Sequence, residues 1–195
     1  MPSRAHKKIA TAAAAATLLT LSLSAGTASA STPEPFADQA RAAHLTPAQN
    51  RALHAEVATY LKRTGGTQTA LNVITLPGET IRVAIPGEAH PRDFVNNPAL
   101  VPATVSSSPC LNMNGSGYFC TWSGTEYTGS EADMYYCNTS YNMPFSGTGS
   151  YSNDQTIGVR AKFYGKYGDY LGSSQPALYG QPSYNWYYVW TIVPC

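Results

Sequence analysis

The chain has 195 residues, with twelve Lys or Arg against eleven Asp or Glu, a net charge of +1 and only 12% charged residues. That length allows one or two domains. The near-neutral balance, with no Lys/Arg cluster outside the extreme amino terminus, excludes nucleic acid as a partner, because that affinity comes from neutralising phosphates.

In chain order, residues 1–8 carry Arg4, Lys7 and Lys8, and residues 9–25 form an apolar run rich in alanine and leucine. Ala28-Ser29-Ala30 then supplies the small residues that signal peptidase requires, so residues 1–30 are predicted to be a secretory signal peptide. A membrane anchor is the other use of such a run. The cleavage site follows at once, so the expectation is a secreted, extracellular protein with no membrane association after cleavage. Removal leaves nine basic against eleven acidic residues, a net charge of about −2.

Residues 31–97 read as a leader segment. Thr46 fits a helix N-cap, Pro47 the first helical position, and Gln49 completes a capping box. Leu53, Val57, Tyr60 and Leu61 then make one apolar stripe before Gly65-Gly66, which predicts a helix over 46–64. Residues 70–76 and 80–85 favour strands around Pro77-Gly78-Glu79, a β-hairpin within 70–85. A helix and one hairpin bury little on their own, so the leader is either docked on residues 110–195 or dispensable. The stretch 96–109, with three prolines and a triple serine, reads as a linker, assigned to 98–109. The leader is therefore expected to be separable from residues 110–195.

Residues 110–195 hold all four cysteines, all three tryptophans and 13 of the 14 tyrosines, but no histidine. Strands are predicted at 118–123, 132–137, 159–164 and 187–193, with glycines breaking the chain at short intervals. Short strands with glycine turns indicate an all-β sandwich or Greek-key barrel. An even cysteine count in a secreted chain indicates two disulfides. Three pairings are open; one joins Cys110 to Cys120 about a glycine-containing turn and leaves Cys137 for Cys195. No C-x2-C spacing occurs, so no zinc site is expected.

Chemistry is sparse. Histidine is the usual general base near neutral pH, and His6, His44, His54 and His90 all lie outside the aromatic block. Five carboxylates (Glu126, Glu131, Asp133, Asp154 and Asp169) are few for an acid–base pair, so no enzyme and no cofactor are expected. Asn114-Gly115-Ser116 and Asn138-Thr139-Ser140 fit the glycosylation sequon but read as turns. Tyr184, Trp186, Tyr187, Tyr188 and Trp190 suit either a stacking platform for sugars or a partner, or a buried central strand. Residues 138–145 carry Tyr141, Met143 and Phe145, candidate partner contacts able to enter a hydrophobic pocket. They also fit a strand crossover packed on the sheet. The turn between Cys110 and Cys120 is the other candidate loop.

Three stretches carry a resemblance: Tyr118-Phe119-Cys120-Thr121-Trp122-Ser123 with Met134-Tyr135-Tyr136-Cys137; Asn153-Asp154-Gln155-Thr156 with Gly158-Val159-Arg160-Ala161; and Tyr184-Asn185-Trp186 with Pro194-Cys195. Together they resemble the secreted actinobacterial peptidase-inhibitor-like family over essentially all of 110–195. The resemblance implies a βγ-crystallin-like Greek-key domain and a secreted, disulfide-bonded inhibitor of metalloproteinases. The expected partner is an extracellular protease, or a cell-wall glycan, and the chain is expected to be a monomer. The family's reactive loop has no counterpart in this chain. Crystallin-type calcium sites pair two Asn/Asp residues with nearby hydroxyls; Asn153 and Asp154 match, but Ile157 supplies no oxygen, so calcium is not expected. The other expectations are a cell-surface or glycan-binding module using exposed aromatics, and a crystallin-type structural or toxin-like protein.

Overall fold

The computed structural model describes residues 34–94 and 108–195; the expected signal peptide and most of the linker 98–109 lie outside them. A short helix α1 (Ala37–Ala42) leads into α2 (Pro47–Thr64). The capping box forms as the sequence dictates: the Thr46 hydroxyl accepts from the Gln49 backbone N–H at 3.2 Å, and Gln49 Oε1 accepts from the Thr46 N–H at 3.0 Å. Gly65, at φ 78°, takes the left-handed turn that ends the helix.

Eleven strands follow among the described residues. In the leader these are β1 (Thr67–Ala70), β2 (Val73–Leu76) and β3 (Glu79–Arg82), with β2 and β3 forming the expected hairpin around Pro77-Gly78. The aromatic block supplies β4 (Tyr118–Trp122), β5 (Glu131–Met134), β6 (Tyr141–Asn142), β7 (Thr148–Asp154), β8 (Lys162–Tyr164), β9 (Tyr170–Ser173), β10 (Tyr179–Asn185) and β11 (Thr191–Val193). They make two antiparallel sheets, one of seven strands ordered β1-β2-β3-β5-β4-β7-β10 and one of four ordered β6-β11-β8-β9. The eight strands of the aromatic block divide into successive fours, β4 to β7 and β8 to β11. In each, the third strand leaves its neighbours: β6 crosses to the smaller sheet and β10 to the larger.

The fold corrects two expectations. The leader is not a detached unit: β3 pairs with β5 through Glu79↔Met134, Thr80↔Asp133, Ile81↔Ala132 and Arg82↔Glu131. Ala84 N–H also donates to Ser130 Oγ at 3.1 Å, and Gly129 N–H to the Ala89 carbonyl at 2.8 Å. The described residues, 34–94 and 108–195, form one compact unit. Second, residues 187–193 are not one strand. Val189 N–H bonds the Trp186 carbonyl at 3.0 Å, and the resulting turn separates β10 from β11.

The core lies between the layers. Phe119 and Tyr151 from the large sheet meet Phe163 from the small one with ring centroids 5.4–6.0 Å apart, and Trp186 closes the cluster. Gly149 is required by close approach, since a Cβ there would overlap the Trp122 carbonyl and Trp186 Nε1, which are hydrogen-bonded at 3.3 Å. The leader end of the large sheet is covered instead by α2, through Leu53, Val57 and Tyr60. Cys110–Cys120 and Cys137–Cys195 are both bonded, with Cα–Cα separations of 6.1 and 4.9 Å. Loops of 10 and 58 residues stabilise by about 3 and about 4 kcal/mol respectively. Two disulfides point to an oxidising compartment, and no helix among the described residues is long and apolar enough to cross a membrane.

Candidate functional site

Tyr141, Met143 and Phe145 were the expected partner contacts, and the fold places all three in the core, 4%, 0% and 2% exposed. β6 is paired with β11, which turns Tyr141 inward so that its hydroxyl donates to the Pro77 carbonyl at 3.3 Å. Phe145 packs edge-on against Tyr60 of α2 at 5.4 Å. They form the seam between leader and aromatic block, not a surface for a partner. The crossover packing that the same residues also suited is what occurs.

The other candidate loop, inside Cys110–Cys120, is exposed throughout residues 111–115. At its base the disulfide packs with Trp122 and Tyr127, whose rings meet at 5.3 Å, and the Cys110 carbonyl accepts from Ser152 Oγ at 3.2 Å. At its far end the Asp154 carboxylate accepts from the Gly115 and Ser116 N–H groups at 2.8 and 3.1 Å. The backbone between these anchors carries two exposed apolar side chains, Leu111 and Met113. Gly180 leaves the space that the Tyr127 hydroxyl and Met113 Cε occupy.

These bonds also account for the Asn153-Asp154 pair. Asn153 Nδ2 donates to the Val159 and Gln175 carbonyls, both at 2.9 Å, while Asp154 is committed to the loop. Ile157 is exposed and offers no oxygen. The pair is engaged as a tie between loops.

A second surface feature is a groove of about 480 Å³ built by four distant segments, one of them the β6–β7 connection through Ser146. Arg63 comes from the last turn of α2, Lys166 and Tyr167 from the turn between β8 and β9, and Tyr187, Tyr188 and Trp190 from the turn between β10 and β11. Trp190 is fixed on both sides: its N–H donates to the Tyr164 carbonyl and its carbonyl accepts from the Met143 N–H, each at 2.8 Å. The Arg63 guanidinium lies 5.2 Å and Lys166 Nζ 5.1 Å from the Trp190 ring centroid. Partial burial lowers the Arg63 pKa from its ordinary value. Of the predicted aromatics at 184–190, Trp186 is core, whereas Tyr187, Tyr188 and Trp190 are exposed. Sequence reading missed Arg63 and Lys166. Their only local signal was a basic helix end and a Lys-Tyr pair between glycines.

A third feature is buried. Glu131 and Asp133 lie on the face of β5 away from the main core, and Arg82 of β3 bonds Asp133. Burial first, and the neighbouring Glu131 second, push the Asp133 carboxyl well above its usual range. Their oxygens approach Cys120 Sγ, but that sulfur is bonded to Cys110 and cannot ligate a metal. Glu79 is 2% exposed, neither of its carboxylate oxygens has a hydrogen-bond partner among the described residues, and burial pushes its pKa up to about 8.

No family model, curated protein or solved structure matches the chain.

Proposed function

We propose that the protein is a secreted peptidase inhibitor with a βγ-crystallin-like Greek-key body, and that residues 111–115 are its reactive segment. The observation that carries this reading is the exposed loop held at both ends, by Cys110–Cys120 and by Asp154. A segment already fixed in place loses little conformational entropy on entering a protease cleft, so more of its contact energy is retained as affinity. Leu111 and Met113 supply apolar side chains for a hydrophobic specificity pocket. The exchange of β6 and β10 between sheets supports the Greek-key assignment, and the resemblance over 110–195 supports a metalloproteinase as the target.

The test is titration of the purified protein against a thermolysin-type zinc endopeptidase, a serine protease and a cysteine protease. Stoichiometric, reversible inhibition of the zinc enzyme is expected at micromolar protein. Leu111→Ala and Met113→Ala should each weaken it by about tenfold, a loss of about 1.4 kcal/mol within the range of a moderate interface contact, while melting of Leu111→Ala stays as in wild type. The reading fails if no protease slows at micromolar protein, or if both variants inhibit as well as the parent.

A further inference from the structure

The aromatic groove is not used by the inhibitor reading, and its chemistry is of a different kind. Tyr167, Tyr187 and Tyr188 present exposed rings, each with a hydroxyl that can both donate and accept. Such rings cover the apolar faces of sugars while their hydroxyls reach the sugar's own. Charge then narrows the ligand. Neither Arg63 nor Lys166 forms an ion pair among the described residues, although the chain without its first 30 residues is net negative. Both cations instead stand against Trp190, an arrangement that orients them without neutralising them. Asp169, the carboxylate lining this groove, lies against Gly165, so one negative charge is set against two positive ones.

We propose that this groove is a second binding site, for an acidic polysaccharide whose carboxylate or phosphate groups meet Arg63 and Lys166 while its sugar rings lie on the tyrosines. Two cations are too few to hold a nucleic acid, which needs a row of phosphate contacts. They suit a polymer with one anionic group per sugar or two. Trp190 positions the cations, and its own backbone is held by Tyr164 and Met143, so the site is formed before ligand arrives. Such a site would anchor the protein to an acidic cell surface independently of any protease.

The experiment is affinity electrophoresis of the purified protein through gels containing polygalacturonate, phosphorylated dextran or neutral dextran. At low salt the wild type should be retarded at least tenfold more strongly by one of the acidic polymers than by dextran, and the better of the two identifies the anionic group. The double variant Arg63→Gln with Lys166→Gln should lose that difference. Tyr167→Ala should weaken retardation by the same polymer severalfold; Tyr167 is 90% exposed, so this variant keeps the fold. Equal retardation by dextran, or none by any polymer, overturns the proposal. So does retardation that survives in Tyr167→Ala and in the double variant alike, because it would then be unspecific charge attraction. Inhibition of the zinc endopeptidase, measured on the same groove variants, should be unchanged, which separates failure of this site from failure of the inhibitor reading.

Discussion

The leader half of the large sheet and its aromatic half are closed by different means. Over β1 to β3 the cover is α2, the contacts are Leu53, Val57 and Ile81, and neither disulfide lies there. Over β4, β7 and β10 the cover is a second sheet, the contacts are aromatic rings, and both disulfides belong to that block. The helix half is closed by α2 packing on its neighbour β2 and, through Tyr60 on Phe145, on the aromatic block. The aromatic half is closed by strands that swap sheets, a topology with long-range contacts that are costly to assemble and are helped by covalent closure. The proposed reactive segment lies within the stapled half, and the groove draws on that half and on Arg63 of α2.

The largest expected effect tests that staple. Cys137→Ser opens a closure of 58 residues and should cost about 4 kcal/mol, against about 3 kcal/mol for Cys110→Ser, which opens one of 10. Thermal melting of the two double variants, Cys137→Ser with Cys195→Ser and Cys110→Ser with Cys120→Ser, gives the order directly. If the Cys110 pair proves the costlier, closure of the terminal strand β11 is not what holds the aromatic half.

Legibility in the sequence followed the same division. The helix with its cap, the hairpin and its turn, and the separate existence of a tyrosine-rich β block were readable because each depends on residues within a few positions of one another. The pairing of β3 with β5 was not, because Arg82 and Glu131 are brought together only by the register of a sheet, and the proline-rich stretch between them read as a boundary. The aromatic run at 184–190 fitted strand alternation, yet the bonds of Trp186 to Gly147 and Val189 fold it into a turn. That turn is what exposes Tyr187 and Tyr188. The groove itself was illegible, since its two cations come from α2 and from the β8–β9 turn.

Glu79 sits where the halves meet, opposite Met134, and gives a smaller effect with a definite sign. Its folded pKa of about 8 lies above the ordinary 4.5, so the native state keeps a proton that the unfolded chain has released. The stability contributed by this group is therefore fully present below pH 4.5 and is lost as pH rises towards 8. The loss runs at up to about 1.4 kcal/mol per pH unit, a few kcal/mol in all. Asp133, raised also, adds in the same direction. Glu79→Gln cannot ionise, so its melting temperature should vary less between pH 5 and 8 and should exceed the parent's at pH 8. If parent and variant show identical pH profiles of melting, the carboxyl is not buried at the seam.

The smallest effect discriminates most sharply between one folding unit and two. Thr46→Ala removes the hydroxyl that caps α2 and should cost about 1 kcal/mol. In a leader that folded by itself, that loss would appear only in a separate, early transition of the helix, and the aromatic block would melt as before. In the observed fold, α2 packs on β2 and β6, and Tyr60 on Phe145, so weakening the helix weakens the structure that contains both disulfides. A single transition lowered by roughly 2–4 °C is expected, coincident whether followed by helix signal at 222 nm or by near-ultraviolet signal from the buried tryptophans. Two transitions, with only the first displaced, would show that the shared sheet does not couple the leader to the rest.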